Sequence, residues 1–358
     1  MSLLRPITAV SLCGLLLSIP AVPQQQAKPA QPQEQIPNIV VSSLEVVVPV
    51  TVTDDKGKFV SNLEAKDFRV LDEGRPQRIE FFSHNERQPV VIGFLVDLSN
   101  NSRIHWKTYQ EQLKELIWNL LPGDKRYSGY LISYSNDAEL AVNTTWDGER
   151  LTNKVDKMKP GGGAALFDAI HMACTRRDLV KGEPYEPRRI IVIIGDGHDS
   201  ASKKTQQEVL ELAHRNLVTI YAISTMAFGF ANEDKEVLEK LTTETGGHVE
   251  YPLAKDIYKD VSGYLSNPQD AGNFALTVGT GAYAAEISRA IMNSVSGISG
   301  EVTTQYVLRY RPDIDPEGKQ RTFRRIKVEV PSLPTVNIRA RVGYYPAGVP
   351  GAPSATNQ

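Results

Sequence analysis

The central part of the chain alternates continuous apolar runs with amphipathic segments. Three apolar runs, at 91–96, 190–195 and 218–223, have the length and β-branched content of strands buried on both faces of a sheet. After the first run, apolar residues return every three or four positions and mark one face of a helix: Tyr109, Leu113, Leu116, Ile117 and Leu120. This alternation is typical of βαβ units, so we predict a doubly wound, mostly parallel α/β domain over residues 89–300.

Both flanks of this region alternate apolar and polar residues over short stretches separated by turn residues. Residues 40–88 and residues 301–346 each hold too few such stretches for a closed core. We therefore predict one antiparallel, immunoglobulin-like β-sandwich built from both ends of the chain, with the α/β domain inserted between them. Such an insertion is feasible because domain termini usually lie close together. Residues 254–283 show no clear period and are predicted to be a surface insertion.

The two ends of the chain have different compositions from the rest. Arg5 and the apolar stretch 7–22 predict a signal peptide over residues 1–23, because the stretch is shorter than the ~20 residues of a spanning helix. Residues 24–39 are rich in Gln, Pro and Ala and predict a disordered linker, and residues 347–358 predict a disordered tail. We expect an exported protein, periplasmic or extracellular, without a membrane span after signal removal.

Composition narrows the class of partner. Of the 358 residues, 41% are hydrophobic and 23% charged, which is typical of a folded protein. The formal net charge is −2, so no basic surplus is present to neutralise phosphates, and we expect no nucleic-acid partner. Signal removal would leave Cys174 without a second cysteine, and its apolar neighbours predict a buried core residue.

Candidate chemistry follows two of the predicted strands. Asp97, Ser99 and Asn101 come at the end of the first apolar run, and Asp196 comes at the end of another. The carboxyl ends of parallel strands share one edge of a sheet, which is where ligand sites of open α/β sheets lie. Carboxylate, hydroxyl and amide oxygens suit a hard cation such as Mg²⁺. A glycine-rich loop at 161–163 lets the backbone approach the same place closely.

These motifs resemble the von Willebrand factor type A (VWA) domain and its metal-ion-dependent adhesion site. The resemblance is carried by Asp97-Leu-Ser-Asn-Asn101, the glycine loop and Ile193-Ile-Gly-Asp-Gly-His-Asp199. Flanking segments at 52–57, 63–70, 323–328 and 340–345 resemble the exported bacterial VWFA-related proteins common in Acidobacteria. The resemblance implies a VWA fold for the inserted domain.

The resemblance also implies roles for individual residues. It gives Asp97, Ser99, Asn101 and Asp196 as ligands of Mg²⁺, or of Mn²⁺ or Ca²⁺. It gives the neighbouring loops as the ligand-binding surface: Gly162, Gly163, Ala164, His198 and Asp199. Two positions differ from the family pattern, since Ala164 stands where a threonine is usual and Asn101 where a second serine is usual.

We therefore expect a non-enzymatic, adhesion-type protein that binds a protein ligand at this edge, with an acidic residue of the partner completing the cation's coordination. One alternative is a metal-independent interaction scaffold on the same face, in which Asp97 and Ser99 only cap the following helix. A second alternative is a Mg²⁺-dependent, phosphatase-like hydrolase with Asp97 as nucleophile. That reaction requires a second carboxylate two residues later, where the chain has Ser99.

Overall fold

The computed structural model describes residues 45–84, 89–103, 106–180, 187–225, 232–252, 281–312 and 322–346. The predicted signal peptide, linker and tail, and residues 254–280 of the predicted surface insertion, lie outside the described residues. The strands are β1 Val46–Thr53, β2 Arg69–Asp72, β3 Arg75–Gln77, β4 Phe81–His84, β5 Val90–Asp97, β6 Tyr127–Tyr134, β7 Ala138–Thr145, β8 Arg188–Gly195, β9 Val218–Ser224, β10 Val249–Glu250, β11 Tyr306–Tyr310, β12 Arg324–Glu329, β13 Asn337–Ala340 and β14 Gly343–Tyr344. The helices are α1 Trp106–Leu120, α2 Gly148–Val155, α3 Leu166–Thr175, α4 Gln206–Arg215, α5 Asn232–Thr245 and α6 Gly281–Thr304.

A six-stranded, mostly parallel sheet forms the centre of the fold. Its strand order is β10-β9-β8-β5-β6-β7, and only β7 runs antiparallel to its neighbour. Helices α1 and α6 bury apolar residues on one face, and α3 and α4 do so on the other. All five residues predicted to face the core from α1 are buried, and so is Cys174. The predicted mixed α/β architecture with a mostly parallel sheet is confirmed.

Two antiparallel sheets combine strands from both ends of the chain. One has the order β13-β1-β11-β4 and the other β14-β12-β2-β3. In the first, β1 pairs residue by residue with β11, from Val46 opposite Tyr310 to Val50 opposite Tyr306. Apolar residues of both sheets share one buried cluster. The immunoglobulin-like classification and the domain boundaries stay predictions.

Helix α6 joins the parallel sheet to the antiparallel ones. Its apolar face packs in the core beside α1, and its last turn carries the fully buried Glu301. The Glu301 carboxylate accepts hydrogen bonds from Thr51 of β1 at 2.8 Å and from Tyr221 of β9 at 3.2 Å. It also pairs with the Arg339 guanidinium of β13. Among the described helices, none is long and apolar enough to cross a membrane.

Candidate functional site

Asp97 ends the central strand β5 at the carboxyl edge of the parallel sheet. The side chain is only 1% exposed because strands lie on both sides of β5. One carboxylate oxygen, Oδ1, accepts the Ser99 backbone N–H at 2.7 Å, which turns the chain sharply after the strand. The other oxygen, Oδ2, is buried and has no hydrogen-bond partner among the described residues. Only the Oδ1 atom of Asp97 therefore stabilises the loop through a hydrogen bond.

Asp196 lies beside Asp97, directly after the neighbouring strand β8. Its Oδ2 accepts the Asn101 side-chain N–H at 3.0 Å, and its Oδ1 accepts the His198 backbone N–H at 2.9 Å. The His198 ring faces elsewhere, with Nδ1 3.2 Å from Asp234 Oδ1. The structure thus brings Asp97, Asn101 and Asp196 to one edge, as the sequence predicts, with the amide nitrogen of Asn101 directed at a carboxylate.

The two carboxylates disfavour each other's charge. Burial, and then the nearby Asp196 carboxylate, raise the pKa of Asp97 to about 6, although the Ser99 N–H and the hydroxyls of Ser99 and Ser102 act to lower it. Neither Asp97 nor Asp196 forms an ion pair with a basic side chain in the part of the chain that the structure describes. A positive charge placed between them would relieve this repulsion.

Three buried hydroxyls surround Asp97. Ser99 is 3% exposed and Ser102 is 5% exposed, and neither hydroxyl oxygen completes a hydrogen bond with a described residue. The same holds for Tyr134, which lies opposite Asp97 in the β5–β6 register. A buried polar atom without a partner costs about 1–3 kcal/mol, so such atoms call for an explanation. Oxygen atoms of this kind are the ligands that Mg²⁺ and Ca²⁺ take, so the residues present fit a hard cation.

Gly195 makes room for this arrangement. A Cβ atom at position 195 would lie 2.3 Å from the Tyr134 hydroxyl oxygen and 3.0 Å from the Asp97 Cβ. Burial, followed by the Asp97 and Asp196 carboxylates, raises the pKa of Tyr134 well above its usual value. The phenol therefore stays protonated beside the carboxylates.

The glycine loop is tied to the loop after β5 by backbone hydrogen bonds. Gly161 N–H donates to Leu98 O at 2.7 Å, and Asn100 N–H donates to Gly162 O at 3.0 Å. Gly162 has a φ of +101°, a conformation that favours glycine. Gly163 N–H donates to Asn136 Oδ1 at 2.6 Å. These bonds fix the predicted loop against the site.

Ala164 and Asp199 hold the loops together. Ala164 is fully buried in the core between the sheet and α3, and its N–H donates to Ser200 Oγ at 3.1 Å. It offers no side-chain oxygen to a cation. Asp199 Oδ2 accepts the Phe167 N–H at 2.9 Å and thereby caps the first turn of α3. The described geometry of both residues is that of loop positioning.

Sequence reasoning missed Ser102, Tyr134 and Ser200. Ser102 lies one residue beyond the recognised motif, and Tyr134 ends a strand that carried no other polar signal of a site. Within the described ranges, no group of three or more His, Cys, Asp or Glu side chains is close enough to hold a metal ion. The site has two carboxylates, and any further ligand must be a neutral oxygen.

The structure is a doubly wound α/β domain. Its oxygen-rich site, with two carboxylates and several hydroxyls, lies at the carboxyl edge of the sheet. Within this chain, residues 92–256 match the family model of the von Willebrand factor type A domain. Residues 92–256 are therefore a VWA domain. A comparison with curated proteins gives no match.

Solved structures whose backbone is similar to part of this chain include three bacterial proteins. An aerotolerance-related membrane protein from Bacteroides fragilis is 16% identical, with 45% of this chain and 90% of that chain covered and a TM-score of 0.37. A von Willebrand factor type A protein from Catenulispora acidiphila is 11% identical, with coverages of 73% and 68% and a TM-score of 0.40. The vWF domain of the type V pili tip protein Mfa5 from Porphyromonas gingivalis is 19% identical, with coverages of 32% and 40% and a TM-score of 0.28. This chain thus spans less than half of that Mfa5 domain, and the family assignment rests on the sequence match.

Proposed function

We propose that this protein is an exported, non-enzymatic binding protein whose VWA domain engages a protein ligand at the carboxyl edge of the sheet through a divalent cation. The observation that carries the proposal is the pair of buried, unpartnered oxygens, Asp97 Oδ2 and Ser99 Oγ, beside a second carboxylate at Asp196. Two carboxylates balance the charge of one divalent cation, and Mg²⁺ tolerates few protein ligands because it keeps several waters. Mn²⁺ and Ca²⁺ accept the same oxygen donors.

The cation would supply an open coordination position facing the partner. An acidic side chain of the partner fits that position, since carboxylate oxygens are preferred ligands of hard cations. The surrounding loops are held rigidly, at Gly163 by Asn136 and at Phe167 by Asp199, so a partner would meet a preformed surface. Preformed surfaces bind with a smaller loss of conformational freedom.

A second candidate is a metal-independent scaffold that uses the same face. It is favoured by the Asn101–Asp196 hydrogen bond, which satisfies one oxygen of Asp196 without a cation, and by Ala164 in place of a hydroxyl residue. We propose no catalytic role, because Ser99 occupies the position where a phosphatase-like reaction requires a second carboxylate.

Export is supported by Arg5 and the apolar stretch 7–22. Amino-terminal sequencing of the protein recovered from the cell envelope tests it. A mature terminus near residue 24 is expected, and a retained Met1 would contradict export with cleavage. We also propose that the two antiparallel sheets form an immunoglobulin-like sandwich that carries the VWA domain, supported by their common buried cluster.

Isothermal titration of Mg²⁺ and of Mn²⁺ into the purified full chain tests the cation, with Asp97→Ala as the control. We expect binding by the wild type and none by Asp97→Ala. At a cation concentration 100 times the Kd, the gain in unfolding free energy should be about 2.7 kcal/mol. Capture of envelope proteins on the immobilised chain, with and without a chelator, then separates the two candidates. Partner capture that survives chelation would favour the metal-independent scaffold.

A further inference from the structure

Ser102 is a buried hydroxyl residue beside Asp97 that the recognised motif does not include. Its side chain is 5% exposed, and its oxygen has no hydrogen-bond partner among the described residues. The hydroxyl nevertheless lies close enough to Asp97 to act on that carboxylate. If Ser102 only filled space, alanine would make the protein more stable at this position, because the buried serine hydroxyl loses its hydrogen bonds to water without gaining a partner.

The local backbone explains how Ser102 reaches the site. Residues Asn101–Arg103 form a 3-10 turn, in which Ser102 N–H donates to Ser99 O at 3.3 Å. The turn therefore folds the chain back on the loop that follows Asp97. Ser99 and Ser102 are three positions apart. The backbone bond holds Ser102 next to Ser99 in the loop after β5, and both side chains are buried there.

Asn101 has a different environment. It is exposed, and its side-chain amide nitrogen donates to Asp196 Oδ2 at 3.0 Å. This hydrogen bond fixes the orientation of the Asn101 amide toward Asp196. It holds the Asp196 carboxylate in place.

We propose that Ser102, and not Asn101, supplies the second hydroxyl ligand of the cation site, and that Asn101 is a positioning residue for Asp196. The ligand set then comprises Asp97 Oδ2, Ser99 Oγ and Ser102 Oγ, with Asp196 close by. This assignment rests on the proposed function, namely that the Asp97 site binds a divalent cation. It removes one of the two departures from the family pattern, because a second serine hydroxyl is present one residue later in the chain.

The test compares Mn²⁺ affinity of the full chain by calorimetry and by the electron paramagnetic resonance signal of free Mn²⁺. The variants are Ser102→Ala, the neighbouring control Asn101→Ala, and Asp97→Ala. We expect Ser102→Ala to weaken Mn²⁺ binding about 10-fold or more. Asn101→Ala should weaken Mn²⁺ binding less than Ser102→Ala does, because Asn101 contacts Asp196 and not the cation. Ser102→Thr keeps the hydroxyl and should restore most of the affinity.

The outcomes separate this assignment from the proposed function. If the wild type binds Mn²⁺, Asp97→Ala does not, and Ser102→Ala binds like the wild type, the cation site stands and the Ser102 assignment is wrong. An Asn101→Ala variant as weak as Ser102→Ala would also overturn it. If the wild type does not bind Mn²⁺, both proposals fail. Melting of each variant in EDTA checks the fold, and Ser102→Ala should melt within about 2 °C of the wild type, since the lost hydroxyl makes no hydrogen bond with a described residue.

Discussion

Glu301 is the residue whose removal should most disturb the joint between the parallel sheet and the antiparallel sheets. The carboxylate is fully buried and accepts from Thr51 and Tyr221, and it pairs with Arg339. His248 adds a second cation, with Nδ1 3.2 Å from a Glu301 oxygen. The change Glu301→Ala removes the negative charge and leaves two positive side chains and two hydroxyls without this partner.

The cost follows from burial. Removing one member of a buried ion pair costs about 3–5 kcal/mol, because the remaining charge is left uncompensated. The Arg339 side chain is 35% exposed, so water screens part of its charge, and we take the lower value of about 3 kcal/mol. At about 2 °C per kcal/mol for a chain of this size, the melting temperature should fall by roughly 6 °C. Glu301→Gln keeps an acceptor of similar shape and should cost about half as much.

The pH dependence gives an independent measure. Burial acts to lower the pKa of His248, but hydrogen bonds with Glu250 and Glu301 outweigh it and raise the pKa to about 9. A raised histidine pKa contributes stability that is complete below the unfolded value of about 6.5 and is lost as the pH rises to about 9. Glu301→Gln should reduce this loss between pH 6.5 and 9.

Urea unfolding of the full chain at pH 7 measures the free energy, with Glu111→Gln as the matched control. Glu111 pairs with Lys114 at 2.9 Å on the surface, where its side chain is 65% exposed, so its loss should cost less than about 0.5 kcal/mol. A loss below about 1 kcal/mol in Glu301→Ala would refute the reasoning, and so would an unchanged pH dependence in Glu301→Gln.

Three further changes test other parts of the fold. Asp72 is fully buried and accepts hydrogen bonds from the hydroxyls of Tyr310 and Tyr344 at 2.9 Å. Asp72→Ala should therefore lower the free energy of unfolding in urea by about 3 kcal/mol or more. A loss under about 1 kcal/mol would contradict this. Burial, followed by a neighbouring arginine, lowers the pKa of His214 to about 4. The contribution of His214 to the free energy of unfolding is therefore present above about pH 6.5 and is lost as the pH falls to 4. His214→Gln should make the free energy of unfolding in urea less dependent on pH in that range. Equal pH dependence in the variant and the wild type would contradict this. In Gly195→Ala the added methyl would lie 2.3 Å from the Tyr134 hydroxyl oxygen, so Tyr134 should be displaced. Calorimetry should then show weaker Mn²⁺ binding at Asp97. An unchanged Mn²⁺ affinity would contradict this prediction.

The parts of the fold that could be predicted are those with a strong local pattern. Strands β5, β8 and β9 are buried along their whole length or nearly so, which gives continuous apolar runs. The apolar face of α1 has a clear helical period. Because β5 and β8 are parallel neighbours, Asp97 and Asp196 come to the same edge, as predicted.

Other elements lack such a pattern. Strand β7 lies at the edge of the sheet, and only Val142 of its eight residues is buried, so its apolar signal is weak. Helix α6 contains three glycines and buries Glu301 and Ser294 next to its apolar positions. Tertiary contacts decide these elements, since the partners of Glu301 come from distant parts of the chain.

The candidate site shows the same division. Residue types and strand ends indicate Asp97, Ser99 and Asp196. The environment of the next side chains depends on the 3-10 turn at Asn101–Arg103, in which Ser102 is buried and Asn101 is exposed and bonded to Asp196. No local pattern in the sequence specified that turn.

The most direct test of the central claim is the anomalous diffraction signal of Mn²⁺ in crystals of the full chain grown with the ion. We expect one Mn²⁺ peak at the carboxyl edge of β5, within about 2.3 Å of Asp97 Oδ2 and the hydroxyl oxygens of Ser99 and Ser102. A saturating Mn²⁺ concentration that leaves no peak beside Asp97 would contradict the account.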